Sequence, residues 1–186
     1  MRFTLGLILL LALAPLANAQ LKEAERRYGV LLNLELYPQD TAKNTLASLI
    51  RAMDKDRYDY LAAHLIDRAY IEDQLKISYP LFEKRASEQV QSEGLEKKGV
   101  DKEFIRKRIV ELAVQANFEY LVGRLKTKLS TDPESLKELK RLNREGDIQE
   151  GGEAATAKLK DIKDRALYFR RIEARWFVEN KMAEDQ

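Results

Sequence analysis

The stretch Leu167-Tyr-Phe-Arg-Arg-Ile-Glu-Ala-Arg-Trp-Phe-Val-Glu-Asn180 predicts two short β-strands joined by a two-residue turn at Glu173-Ala174. In that register Ile172 faces Arg175, Arg171 faces Trp176, Phe169 faces Val178 and Leu167 faces Asn180. Side chains alternate across a strand, so Leu167, Phe169, Trp176 and Val178 share one apolar face. An apolar face must be covered, and the cover available is the long helical stretch that precedes it. The opposite face carries Tyr168, Arg170, Ile172 and Phe177. It reads either as a surface for a homodimer formed through the sheet or as ordinary wetted sheet.

Moving back along the chain, Ala155, Ala157 and Leu159 alternate with Thr156, Lys158 and Lys160, the pattern of a half-buried strand. The segment 147–153 before it is hairpin-like, with Gly151-Gly152 able to take the positive φ of a tight turn. Upstream of Gly146 the apolar period is helical. Ala42, Leu46, Leu49, Ile50 and Met53 fall on one face of a helix that Asp40 or Thr41 can cap. After a polar joint at 54–57, Tyr58, Leu61, Ala62 and Leu65 make the stripe of a second helix, running to Ile66. Ile71, Leu75, Ser78, Phe82, Ala86 and Val90 continue the spacing across Pro80, where a break or kink is expected near Tyr79. Residues 94–99 form a loop. Asp101 then caps a helix to Leu129 whose buried face is Ile105, Ile109, Leu112, Ala113, Ala116, Tyr120 and Leu121. Asp132-Pro133-Glu134 starts one more helix, ending near Asn143. Helices first and strands last make an α+β domain, its N-terminal and central helices packed on a C-terminal antiparallel β-meander.

The N-terminus suggests an address. Arg2, the apolar run Leu5–Leu16 and Ala17-Asn18-Ala19 are the three parts of a secretory signal peptide over 1–19. The run is shorter than the roughly 20 residues of a spanning helix. The expected organisation is therefore the leader, an apolar extended lead-in over 20–40, one α+β domain over 41–182 and a tail at 183–186. Within the domain, 70–143 is a helical elaboration and 146–182 carries the strands. An exported product, periplasmic or extracellular, is expected. The chain has no cysteine, so packing rather than disulfides must hold it, and no lipid-bearing cysteine follows the cleavage point. No stable membrane anchor is thus expected after cleavage. Composition is 45% hydrophobic and 34% charged, which suits a packed globular chain rather than a disordered one. Residues 120–181 hold 15 Lys/Arg against 11 Asp/Glu and residues 20–119 hold 17 against 18. No basic stripe free of acids results, which argues against a nucleic-acid binder.

This order, with the closing motif ending Arg175-Trp-Phe-Val-Glu-Asn180, resembles the cystatin-like α+β cone of the nuclear-transport-factor-two-like superfamily. Tyr37-Pro-Gln-Asp-Thr41 and Tyr60-Leu-Ala-Ala-His-Leu65 are similar to segments of uncharacterised bacterial exported proteins. The resemblance covers 41–66 and 146–182 and implies helices packed on a curved antiparallel sheet. Relatives usually carry glycine where this chain has Ala174, and alanine at positive φ costs about 1 kcal/mol. The fold hosts enzymes and binders alike.

Few residues suggest chemistry. His64 is the only histidine and shares a helix face with Tyr60, away from the Tyr58/Leu61/Leu65 stripe. The two form either an acid/base pair at a pocket or a boundary pair with no such role. Asp54, Asp56 and Asp59 lack the glycine and distal glutamate of a calcium loop and read as a solvated connection. One histidine without cysteine leaves zinc only carboxylates. No catalytic residue, metal or cofactor is assigned. The pocket or partner-surface candidates are Tyr60, His64, Phe169, Arg171 and Trp176, with Arg171 opposite Trp176 in reach of a cation–π contact. The function expected is a non-catalytic binding or interaction module holding a small apolar ligand or a protein partner segment on its sheet. The alternatives are a cone-type enzyme using Tyr60 and His64, or a periplasmic chaperone-like adaptor. The adaptor would require an extended helical arm with an exposed apolar groove.

Overall fold

The structure, a computed structural model, describes residues 25–162 and 165–181. The predicted leader at 1–19 and tail at 183–186 lie outside the described residues. A short ribbon opens the described chain: β1 (Arg26–Arg27) pairs antiparallel with β2 (Val30–Leu31). Tyr28 and Gly29 take φ of 51° and 81° at its turn, the geometry of a two-residue hairpin. Among the described residues of the lead-in, the ribbon is followed by a turn at 34–36.

Helix α1 (Ala42–Asp54) starts where the Thr41 hydroxyl accepts the Asn44 N–H. Its predicted stripe, Ala42, Leu46, Leu49, Ile50 and Met53, is buried throughout. After the joint, α2 (Tyr58–Tyr60) widens into a π-helical turn over Leu61–Leu65. The Ile66 N–H reaches back to the Leu61 carbonyl at 3.1 Å, an i to i+5 bond. This turn is buried on every side, Ala63 and His64 included, so it is not the amphipathic helix its stripe predicts. The ribbon covers the face that the sequence leaves polar.

Helices α3 (Arg68–Ser92) and α4 (Lys102–Ser130) pair along their lengths. At 1.5 Å per residue they span about 37 and 43 Å. Their root packs on the π turn through Ala62, Ala63, Ile71, Phe118 and Leu121. Farther out, Phe82, Ala86, Ala113, Tyr79, Ile109 and Leu112 form a cluster of their own between α3 and α4. Residues 68–130 thus form a helical arm. Pro80 does not break α3, because its ring falls where α3 is already anchored to α4: Asn117 donates to the Leu75 carbonyl and accepts from the Ser78 hydroxyl. Two expected core positions of α4, Ala116 and Tyr120, are exposed instead, and Asn117 and Phe118 are buried. Beyond the root only α3 faces α4, so the stripe it can bury narrows.

Helix α5 (Pro133–Glu145), capped by Asp132, leads into the sheet β3 (Asp147–Gly151), β4 (Ala154–Lys158), β5 (Ala166–Ile172) and β6 (Arg175–Glu179), an antiparallel meander in that order. The closing hairpin has the predicted register for Phe169 with Val178, Arg171 with Trp176 and Ile172 with Arg175. Leu167 instead pairs with Ala157 of β4. The positive φ of the last turn falls on Glu173, at 56°, rather than on Ala174. In the first hairpin Gly151 pairs with Ala154, so the turn is Gly152-Glu153, one residue later than expected.

The inner face of the sheet carries Ala155, Ala157, Leu159, Phe169, Trp176 and Val178 against α1 and the π turn, and these make the main core. On the other face Tyr168 and Phe177 are buried as well, leaving Ile172 and Arg170 exposed. Two of the three apolar residues on the face expected for a dimer, Tyr168 and Phe177, are thus buried within the chain.

Candidate functional site

The structure brings the main chains of His64 and Trp176 onto one buried residue, Gln39. Gln39 Nε2 donates to the His64 carbonyl at 2.8 Å and to the Trp176 carbonyl at 2.9 Å. The Trp176 N–H donates to the Gln39 carbonyl at 2.8 Å. Gln39 therefore acts as a one-residue strand on the outer edge of β6. The edge is extended by Asp67, whose N–H donates to the Val178 carbonyl. An unpaired sheet edge is a template for unwanted pairing, and these contacts close it.

Tyr60 and His64 sit beneath the β1–β2 ribbon, their rings 5.0 Å apart, with Tyr37 stacked on Tyr60 at 4.1 Å. The Tyr60 hydroxyl exchanges hydrogen bonds with the Asn33 N–H and carbonyl at 3.2 Å. His64 Nε2 lies 2.9 Å from the Val30 carbonyl. A carbonyl only accepts, so this nitrogen carries the proton. Burial pushes the His64 imidazole below its ordinary pKa and the Tyr60 phenol above its own. Both groups are thus held neutral near pH 7, His64 through Nε2 on the main chain of Val30 in the ribbon and Tyr60 through its hydroxyl on the main chain of Asn33 just after it. Among the sequence candidates, Phe169 and Trp176 are core and Arg171 is exposed at the hairpin end. The cation over an aromatic ring in this hairpin is Arg175 on Phe177, at 5.3 Å.

The acids of the first joint are each matched to a cation. Asp54 meets Lys140, Asp56 meets Lys126 and Asp59 meets Arg57. Arg57 holds the Asp59 carboxyl below the usual carboxylate range. Among the described residues no cluster of three His, Asp or Glu is placed to hold a metal.

A groove opens at the other end of the sheet, where α5 stands off from β4 and β5. It encloses about 660 Å³. Its floor is apolar, with Leu129, Leu139, Leu142, Ala157, Leu159 and Leu167. Arg165 and Glu138 face each other at its rim in a two-pronged ion pair of 2.8 and 2.9 Å, with Asp132, Ser135 and Lys181 alongside. Ala157 and Leu167 belong to the inner face of the sheet, the one that carries Phe169 farther along. The aromatic half of that face is filled by α1 and the π turn, and the aliphatic half opens into the groove. None of the sequence candidates lines it. The alternation of Ala155, Ala157 and Leu159 announces the strand beneath the groove, but where α5 lies over it is set by tertiary packing. Compared with known proteins, the chain matches no family model, no curated protein and no solved structure.

Proposed function

We propose that this chain is a non-catalytic binding module, and that the groove between α5 and the aliphatic half of the sheet holds a small apolar ligand. One observation carries this: a concave space of about 660 Å³ lined by Leu129, Leu139, Leu142, Ala157, Leu159 and Leu167 together with a few charged side chains, Asp132, Glu138, Arg165 and Lys181. Ligand sites have this size and this division of labour, with burial on the floor and orientation at the edge. The proposal includes export through the 1–19 leader. It also includes membership of the cone superfamily, supported by helices followed by a four-stranded antiparallel meander. Tyr60 and His64 take a structural role in it, because their polar atoms are engaged by Val30 and Asn33.

Titration with 1-anilinonaphthalene-8-sulfonate tests the groove. Saturable, one-to-one fluorescence enhancement is expected. Ser135→Phe, at a half-buried lining position on α5, should weaken it at least tenfold while the circular dichroism stays native. Equal binding by wild type and Ser135→Phe would rule the groove out as the site.

A second function, a helical adaptor, is favoured by the arm. Ile77 is 76% exposed and Leu81 51% exposed on α3, large apolar side chains left open among the described residues.

A further inference from the structure

One side of the arm's root forms a second groove, between α3 and α4, of about 630 Å³. Tyr70 and Gln74 line it from α3, and Tyr120, Gly123 and Leu125 line it from α4. Tyr70, Gln74, Ile77 and Leu81 are spaced four, three and four residues apart, so they share one helix face. The exposed Ile77 and Leu81 therefore prolong the groove outward as an apolar ridge.

Gly123 is the informative residue. It lies inside α4, where glycine is the least favoured residue apart from proline. Its φ is not in the left-handed region, and a Cβ built on it would meet no heavy atom within 4 Å. Neither the backbone nor the packing of this chain requires glycine there. A bare helix surface on a groove floor lets another backbone or a bulky side chain approach closely. The rim supplies the second clue. Arg124, stacked over the Tyr120 ring at 5.9 Å, and Lys128 both line the groove. Among the described residues neither has a carboxylate within ion-pair distance, whereas their neighbour Lys126 is paired with Asp56.

We infer that the α3–α4 groove docks an amphipathic helix of a partner protein, apolar on one face and acidic along its flanks. The apolar face would lie over Tyr70, Ile77, Leu81 and Tyr120, with one large side chain seated against Gly123. The acidic flank would meet Arg124 and Lys128. This is helix-in-groove recognition, with anchors at i, i+3, i+4 and i+7. A second copy of this chain docked through the same face would bring the same two cations, setting like charges against each other. The inference deepens the adaptor function and is independent of the groove on the sheet, so either can fail alone.

The test is fluorescence anisotropy with the full chain and a labelled 18-residue synthetic peptide. The peptide carries Leu and Phe at i, i+3, i+4 and i+7 and Glu on both flanks. Saturable binding that weakens with salt is expected, at least tenfold tighter than for the peptide with Lys in place of Glu. Gly123→Ala should raise the thermal midpoint of the protein and yet weaken binding; Gly123→Leu should weaken it further. The double change R124E/K128E should cost at least tenfold in affinity. Three results would overturn the inference: no saturable binding, equal affinity for the lysine peptide, or unchanged affinity in Gly123→Leu. Tighter association with phosphatidylglycerol vesicles than with the peptide would assign the face to lipid and overturn it as well.

Discussion

Replacing Gln39 by methionine removes the edge contacts of β6 without opening a large cavity, and its cost can be worked out group by group. The His64 carbonyl loses the Gln39 Nε2 donor, and a buried carbonyl left without a partner costs about 1–3 kcal/mol. The Trp176 carbonyl loses its bond too but keeps the Thr45 hydroxyl at 3.3 Å, so its loss is nearer 1 kcal/mol. Against this, Gln39 Oε1 meets no donor among the described residues, and removing that buried atom returns about 1 kcal/mol. The net is a destabilisation of about 2 kcal/mol. For a chain of this length that lowers Tm by roughly 4–8 °C. Urea unfolding followed by the emission of Trp176, the only tryptophan, measures it directly at the residue whose main chain is affected. If Gln39→Met unfolds within 0.5 kcal/mol of wild type (the range of an ordinary surface change), the edge contacts do not hold the sheet as argued.

Two other predictions concern the hairpin and the ribbon. Glu173 holds φ at 56°, so Glu173→Gly should stabilise the chain by about 1 kcal/mol while Ala174→Gly should not; chemical denaturation of both variants would expose an inverted order. Burial keeps the His64 pKa below its unfolded value, so the unfolded chain takes up the proton first as pH falls. Stability contributed by neutral His64 is complete above the ordinary pKa of 6.5 and is lost as pH drops from there toward the folded value. Glu25, Arg27 and Arg175 act on the same ring, and His64→Gln keeps a donor for Val30 without a titrating group. Tm measured from pH 7.5 to 5 should therefore fall less in His64→Gln than in wild type, and parallel curves would show that His64 is not the acid-sensitive element.

Much of the fold was legible locally. The stripe of α1, the caps Thr41, Asp101 and Asp132, and three of the four cross-strand pairs of the last hairpin follow from period, cap chemistry and alternation. These depend on neighbours within a few residues, and the physics that sets them acts at that range. Errors arose where a second element decided burial. His64 lies on the polar side of its helix by pattern, yet the ribbon and the π turn bury it. Tyr120 lies on the apolar side and is half exposed, because the neighbouring helix α3 meets its ring through Phe82 without covering it.

The sequence by itself determined that the chain is α+β, that it closes in an antiparallel hairpin, and that the apolar stripe of α1 and the Phe169/Trp176/Val178 face of the hairpin are core. Only the tertiary structure decided that 68–130 stands out as an arm, that Gln39 seals the edge of β6, and that the open half of the sheet is the aliphatic one beneath α5. Periodicity reports that a face must be covered. It does not report which element covers it, because that depends on contacts between residues far apart in the chain, such as the Gln39–Trp176 pair 137 positions apart.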